Sequence, residues 1–166
     1  MQVNCSIVDW PEVTRRHKAG TLEDDLMNIE GDEEWFRDAE AWGDSAMQFF
    51  AAGRIYQALA PHLSADNRAH GDASLGFVLG EKLVDDLGAQ MECWFSILSP
   101  ERVSRVASEF QRFDYNGLAK LYEKHCPAEE REYAPNFEEF KEYVDQWQAA
   151  FTEAAAEGRG IFCHCG

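Results

Sequence analysis

Phe137, Phe140, Val144, Trp147, Phe151 and Ala154 recur at steps of three and four residues. Such steps stack on one side of a 3.6-residue helix, so this stretch must fold as a long amphipathic helix with an aromatic wall. Asn136 is a strong N-cap, Glu139 stands three residues on as in a capping box, and Gly158 supplies a stop. A wall that wide needs other elements to cover it.

The rest of the chain supplies candidates. Loose alternation of Val3, Cys5 and Ile7 predicts a first strand over 2–8. Asp9 caps a helix starting near Pro11 and ending at Gly20. Leu22, Leu26 and Ile29 anchor an acidic short helix or ordered loop. Asp32 is read as the cap of a helix whose buried face is Trp35, Ala39, Trp42, Ala46 and Phe49, closed by Gly53, with a further turn over 55–59. The polar stretch 64–73 reads as a loop. Residues 75–79 fit either a strand or a tight helix. Residues 91–98 carry apolar residues on both faces, which predicts an interior strand. Ser99-Pro100-Glu101 starts a helix with Val103, Val106, Ala107 and Phe110 as its stripe. Asn116 opens a helix carrying Leu118, Leu121 and Tyr122, 127–135 is an acidic connector, and 161–165 is a last strand. The expected fold class is α+β: a mostly helical single domain over 1–166, packed on a small, largely antiparallel sheet. A chain of 166 residues with 45% apolar content can bury such a core unaided.

The formal net charge is -16. That balance argues against nucleic-acid binding, which Lys and Arg drive, and against anionic membranes. It favours a basic protein partner. No apolar run reaches bilayer-spanning length and no signal-peptide pattern opens the chain, so a cytoplasmic protein is expected. Five cysteines in that setting, Cys5, Cys93, Cys126, Cys163 and Cys165, read as reduced thiols.

No pattern of residues forms a known catalytic motif. Cys163-His164-Cys165 invites a zinc reading, but a single intervening residue is short for paired zinc ligands, and two small buried residues in a core strand explain it better. His125-Cys126 places thiol and base about 100° apart on a helix, which is poor geometry for a nucleophile. Five tryptophans fall at core spacing rather than forming an evident ligand cage. No cofactor and no metal are expected. The acidic clusters lack the spaced ligands of a calcium loop, and most sit at helix starts, where carboxylates favour the dipole. As candidate partner contacts we single out Asp24, Asp25, Asp32, Glu33, Glu34, Glu129, Glu130 and Glu138.

Several stretches together resemble the YfbM-like bacterial family, a domain of unknown function. They are 42–53, which begins Trp42-Gly43-Asp44-Ser45, then Val78-Leu79-Gly80-Glu81, then Leu98-Ser99-Pro100-Glu101-Arg102-Val103, and lastly 151–160 with the strand after it. The family often has His where Gln48 stands and Gly where Glu81 stands. The resemblance implies this fold and assigns no catalytic residue. The leading functional expectation is therefore a small, acidic, non-enzymatic interaction protein, of the immunity or inhibitor kind, that neutralises a basic toxin or enzyme. The alternative is a small-molecule-binding protein or enzyme with a pocket near Trp42, Gly53 and Gly80.

Overall fold

The computed structural model describes residues 3–29, 33–39, 46–76, 86–88, 95–132 and 134–165, with the backbone alone at 3, 4, 38, 46–50, 76, 95, 164 and 165. A four-stranded antiparallel sheet is built from β1 (Val3–Val8), β2 (Phe36–Asp38), β3 (Phe95–Leu98) and β4 (Gly160–Cys165), in the order β2-β1-β4-β3. Among the described residues the α-helices are α1 (Trp10–Ala19), α2 (Leu22–Met27), α3 (Ala46–Leu59), α4 (Ala65–Gly71), α5 (Pro100–Arg112), α6 (Tyr115–His125) and α7 (Phe137–Ala156). The chain is thus α+β, mostly helical, on a small antiparallel sheet.

Alternation along the strands divides the core into two layers. Cys5, Ile7, Leu98, Ile161 and Cys163 join the larger cluster, with the buried stripes of α3, α5, α6 and α7. Val8, Phe36, Ile97 and Phe162 join the smaller one, with Val13, Leu22, Leu26 and Trp35. The α7 wall is buried from Phe137 to Ala154, and the Phe151 ring meets Phe110 of α5 with centroids 5.9 Å apart. Gly160 has room for no side chain. A Cβ there would lie 2.7 Å from the Leu98 carbonyl oxygen and 2.9 Å from the Trp10 ring.

Local capping explains why the predicted helix starts hold. The Asp9 carboxylate accepts from the Glu12 N–H at 3.3 Å, and Gly20 closes α1 in the left-handed region at φ 72°. Ser99 accepts from the Arg102 N–H, and Asn136 Oδ1 from the Glu139 N–H at 3.0 Å. The capping-box Glu139 turns its side chain to Asn136 Nδ2 at 2.9 Å rather than to the cap backbone.

Other expectations are corrected. Residues 33–39 are not helical. Glu33 and Phe36 form a tight bridge, and β2 pairs with β1 in the register Val8 with Phe36 and Ser6 with Asp38. The three- and four-residue steps of Trp35 and Ala39 were a coincidence of spacing, and long-range pairing with β1 overrides them. Gly53 does not end a helix: it is buried in the middle of α3, where packing of Ala51, Ala52, Ile55, Tyr56 and Leu59 outweighs a glycine cost of about 1 kcal/mol. The 64–73 stretch is α4, capped by Ser64 through the Asn67 N–H at 3.3 Å, followed by a π-helical turn over Asp72–Gly76. Asp114, not Asn116, caps α6, accepting from Gly117 N–H at 2.9 Å. The acidic connector contains a 3₁₀ turn over Ala128–Glu132. Among the described strands β3 lies at the end of the order rather than inside it, although Ile97 and Leu98 do face both layers. Its outer side accepts the Asp86 N–H at the Ile97 carbonyl, 3.0 Å. Trp42, 77–80 and 91–94 lie outside the described residues, as do the side chains of Phe49 and Phe95.

Candidate functional site

The two acidic segments singled out by sequence are used differently. In the first, two of the four described carboxylates, Asp25 and Glu33, are engaged by the chain itself. Arg16 reaches Asp25 at 2.7 Å and Glu12 at 2.9 Å, and its guanidinium lies 4.2 Å from the centre of the Trp35 ring. Thr21 donates to Asp25, and the Trp35 indole N–H donates to Glu33 at 2.7 Å. The Thr21 hydrogen bond, followed by that of Arg16, holds the Asp25 carboxyl below its usual range. The hydrogen bond from Arg15 takes Glu12 down to about 2. The Asp9 N–H donates to the Trp35 carbonyl at 2.8 Å, so this corner fastens the 33–39 hairpin to the start of α1. Asp25 and Glu33 are therefore structural ligands of Arg16 and Trp35. Asp24 and Glu34 are exposed, and Asp32 lies outside the described residues.

In the second segment the cations are spent internally and most of the carboxylates face water. Arg131 donates to the carbonyls of Tyr122 at 2.9 Å, Glu123 at 3.3 Å and Cys126 at 3.4 Å, closing the C-terminus of α6, and lies over the Tyr122 ring at 4.9 Å. This satisfies carbonyls that a helix end leaves open, and places positive charge at the negative end of the dipole. Lys141 pairs with Asp145 at 2.5 Å. Glu130 pairs with Arg54 of α3 at 2.9 Å, and Glu139 is held by the cap. Glu129, Glu132, Glu138 and Glu142 are exposed, and no other described residue forms a hydrogen bond or ion pair with their side chains.

Part of the backbone beside these glutamates is tied to α6. The buried Tyr122 hydroxyl donates to the Ala134 carbonyl in a short hydrogen bond. Burial, with the nearby Cys126, pushes that phenol up to about 12, so it stays a donor at any ordinary pH. Phe137 packs on Tyr122 at 5.8 Å between centroids. These contacts tie Ala134 and Phe137, within the acidic segment, to Tyr122 of α6. Glu132 and Glu142 were not singled out from the sequence. Their membership depends on which neighbours carry the cations, and that is set by tertiary structure.

The alternative pocket is not assembled by the described residues: Gly53 is enclosed in α3, and Trp42 and Gly80 lie outside them. Nor does His125 serve Cys126 as a base. Its ring stacks on His62, 3.8 Å between centroids and 10° from parallel, while the Cys126 thiol faces the Pro127 carbonyl. Burial pushes the Cys126 thiol up and the His125 imidazole down. Among the described residues, no three His, Cys, Asp or Glu side chains are grouped to hold a metal ion.

One polar cluster escaped the sequence reading entirely. His70 of α4 is buried, its Nδ1 against the Glu109 carboxylate in a very short contact and its Nε2 3.2 Å from Asp66. Beside it, the Tyr56 hydroxyl donates to Asp72 at 2.8 Å, and the Ser74 hydroxyl to the His70 carbonyl at 2.8 Å. Burial first, then Asp72, holds the Tyr56 phenol far above its usual range. Among the described residues no nucleophile is presented to the imidazole, whose two nitrogens both contact carboxylates. The cluster joins α4 to α5.

The family model described as "Domain of unknown function (DUF1877)" matches residues 16–164. Among solved structures, the chain is similar to YfbM from Escherichia coli, itself described as a protein of unknown function. Sequence identity is 15%, coverage is 99% of both chains and the TM-score is 0.56. At that identity the likeness concerns the fold. No curated protein matches the chain. Among the described residues, no helix is long and apolar enough to cross a membrane.

Proposed function

The chain belongs to the DUF1877 family, and from that premise we propose that it is a non-enzymatic interaction protein whose Glu129–Glu142 segment docks a basic protein surface. The carrying observation is the asymmetry of pairing. Arg131 and Lys141 are engaged with the chain's own carbonyls and Asp145, while Glu129, Glu132, Glu138 and Glu142 are exposed and, among the described residues, have no cation partner. Exposed carboxylates that no described cation neutralises steer a basic partner. The net charge of -16 extends the same field over the molecule. An immunity or inhibitor protein, which must reach a basic toxin or enzyme quickly, is the specific role this arrangement suits.

The test is affinity capture from extract of the source cell at low salt. Wild-type protein is run beside a variant carrying Glu129→Lys, Glu132→Lys, Glu138→Lys and Glu142→Lys. The expected result is a Lys- and Arg-rich protein retained by the wild type and lost from the variant, with the variant's circular dichroism unchanged. Equal retention by both proteins would refute the assignment of this segment. Asp24→Lys with Glu34→Lys serves as the control for the first acidic segment and should retain the partner.

A further inference from the structure

The register of the two central strands brings together cysteines that are 158 positions apart in the sequence. Cys5 of β1 and Cys163 of β4 are directly opposite. Antiparallel pairs alternate between hydrogen-bonded and non-hydrogen-bonded sites, and which kind this is can be fixed from both flanks. On one flank the Cys5 carbonyl accepts the Ala39 N–H at 2.9 Å, so the polar groups of Cys5 point toward β2 and away from β4. On the other flank the Ile97 carbonyl accepts from Asp86, on the side away from β4. Its neighbour Ser96, the partner of Cys163, therefore turns its polar groups to β4, and those of Cys163 point toward β3. Cys5 and Cys163 thus occupy a non-hydrogen-bonded site. There Cα atoms approach to about 4.5 Å and side chains are closest, inside the range of about 4.4–6.8 Å that a disulfide spans. Both side chains enter the same core layer, and both are buried thiols.

We propose that Cys5 and Cys163 form a dithiol site that a small hydroperoxide closes to a cross-strand disulfide and a thiol reductant reopens. Cys163 is the more accessible of the two, 7% against 3% exposed, and reacts first. Its thiolate attacks one peroxide oxygen, the O–O bond breaks, and a sulfenic acid and one water form. The Cys5 thiol then attacks the sulfenic sulfur, the S–S bond forms, the S–O bond breaks, and a second water leaves. In sum, two thiols and one hydrogen peroxide give one disulfide and two waters. The peroxide gains the two electrons the sulfurs lose. Two thiol–disulfide exchanges with a dithiol reverse the reaction.

The experiment treats the reduced full chain with hydrogen peroxide, blocks remaining thiols and maps peptides without reduction. The expected product is a peptide pair joined through Cys5 and Cys163, with the intact mass lower by two hydrogens, restored by dithiothreitol. Cys126→Ser should keep the product, and Cys5→Ala should lose it. Oxidised wild type should unfold at higher urea than reduced, because the bond closes nearly the whole chain into a loop, and Cys5→Ala should show no such rise. The proposal fails if Cys5 and Cys163 both remain blockable after oxidation. It fails equally if Cys163 is found joined to Cys165 or Cys93, or if Cys163 proceeds to the sulfonic acid with Cys5 still a thiol. Should Cys5→Ala not fold, the peptide map of wild type decides alone.

Discussion

Replacing Gly71 by alanine should destabilise the protein, although alanine is the better helix former. Gly71 is the last residue of α4, and a Cβ there would lie 2.6 Å from Cε2 of Tyr56 and 2.7 Å from Cε2 of Phe113, with the Tyr56 hydroxyl closer still. Carbon atoms rest at about 3.5–4.0 Å, so the rings must retreat by about 1 Å. They have nowhere to go: Tyr56 and Phe113 are both buried and pack edge to face, 6.4 Å between centroids. Overpacking of this kind costs about 1–3 kcal/mol. Shifting Tyr56 also disturbs its hydrogen bond to Asp72, worth about 1.5 kcal/mol. Against these stands a helix-propensity gain of about 1 kcal/mol. The balance is a loss of about 1.5–3.5 kcal/mol, read from urea unfolding monitored by tryptophan fluorescence. In a Tyr56→Leu background, which removes the nearest obstacle, the same Gly71→Ala change should cost less than about 1 kcal/mol. A neutral or stabilising Gly71→Ala, or equal costs in the two backgrounds, would refute the packing argument.

Three more outcomes follow from the fold. Phe151→Ala, in the buried α7 wall against Phe110, should lose about 3–5 kcal/mol in the same urea assay, and a cost under about 1 kcal/mol would mean the wall is not core. Asp86 accepts from Arg102 at 2.6 Å and from the Ser99 N–H at 2.8 Å. Burial pushes its carboxyl up, but those bonds outweigh it and hold it below the usual carboxylate range. A depressed pKa means the stabilisation is whole above the unfolded value and is lost as pH falls through the folded one. Wild type should therefore lose stability below about pH 4, and Asp86→Asn should be weaker by about 1–2 kcal/mol at pH 7 with a shallower decline. Identical pH profiles would remove Asp86 from the account. Gly160→Ala should be destabilised by about 1–3 kcal/mol, since its Cβ would press on the Leu98 carbonyl and Trp10; an unchanged midpoint would contradict that contact.

What the sequence conveyed depended on how local the cause was. Asp9 with Pro11, Ser99 with Pro100, and Asn136 with Glu139 act within one helical turn, and all three helix starts are where spacing placed them. The 33–39 hairpin exists because β1 offers it an edge, and no window around Trp35 contains that information. Helix α4 was hidden because its inward face is His70 and Gly71, backed by Ser74 and Leu75, rather than a run of large apolar residues. The acidic segments were visible as composition. Which carboxylates are neutralised was not, because Arg54 reaches Glu130 and Arg16 reaches Asp25 across separate elements. Sequence read Cys163 as one of five reduced thiols, and only strand register sets it opposite Cys5.

The association rate of the captured basic partner, measured by stopped flow across ionic strength, tests the docking role of the Glu129–Glu142 segment most directly. Screening length falls from about 10 Å at 0.1 M to about 3 Å at 1 M salt, so a steered encounter should slow steeply over that range. Reversing Glu129, Glu132, Glu138 and Glu142 to lysine should lower the low-salt rate by about tenfold or more and flatten its salt dependence. Reversing Asp24 and Glu34 should leave both nearly as in wild type. A rate that stays flat with salt and is unmoved by the fourfold reversal would contradict the account.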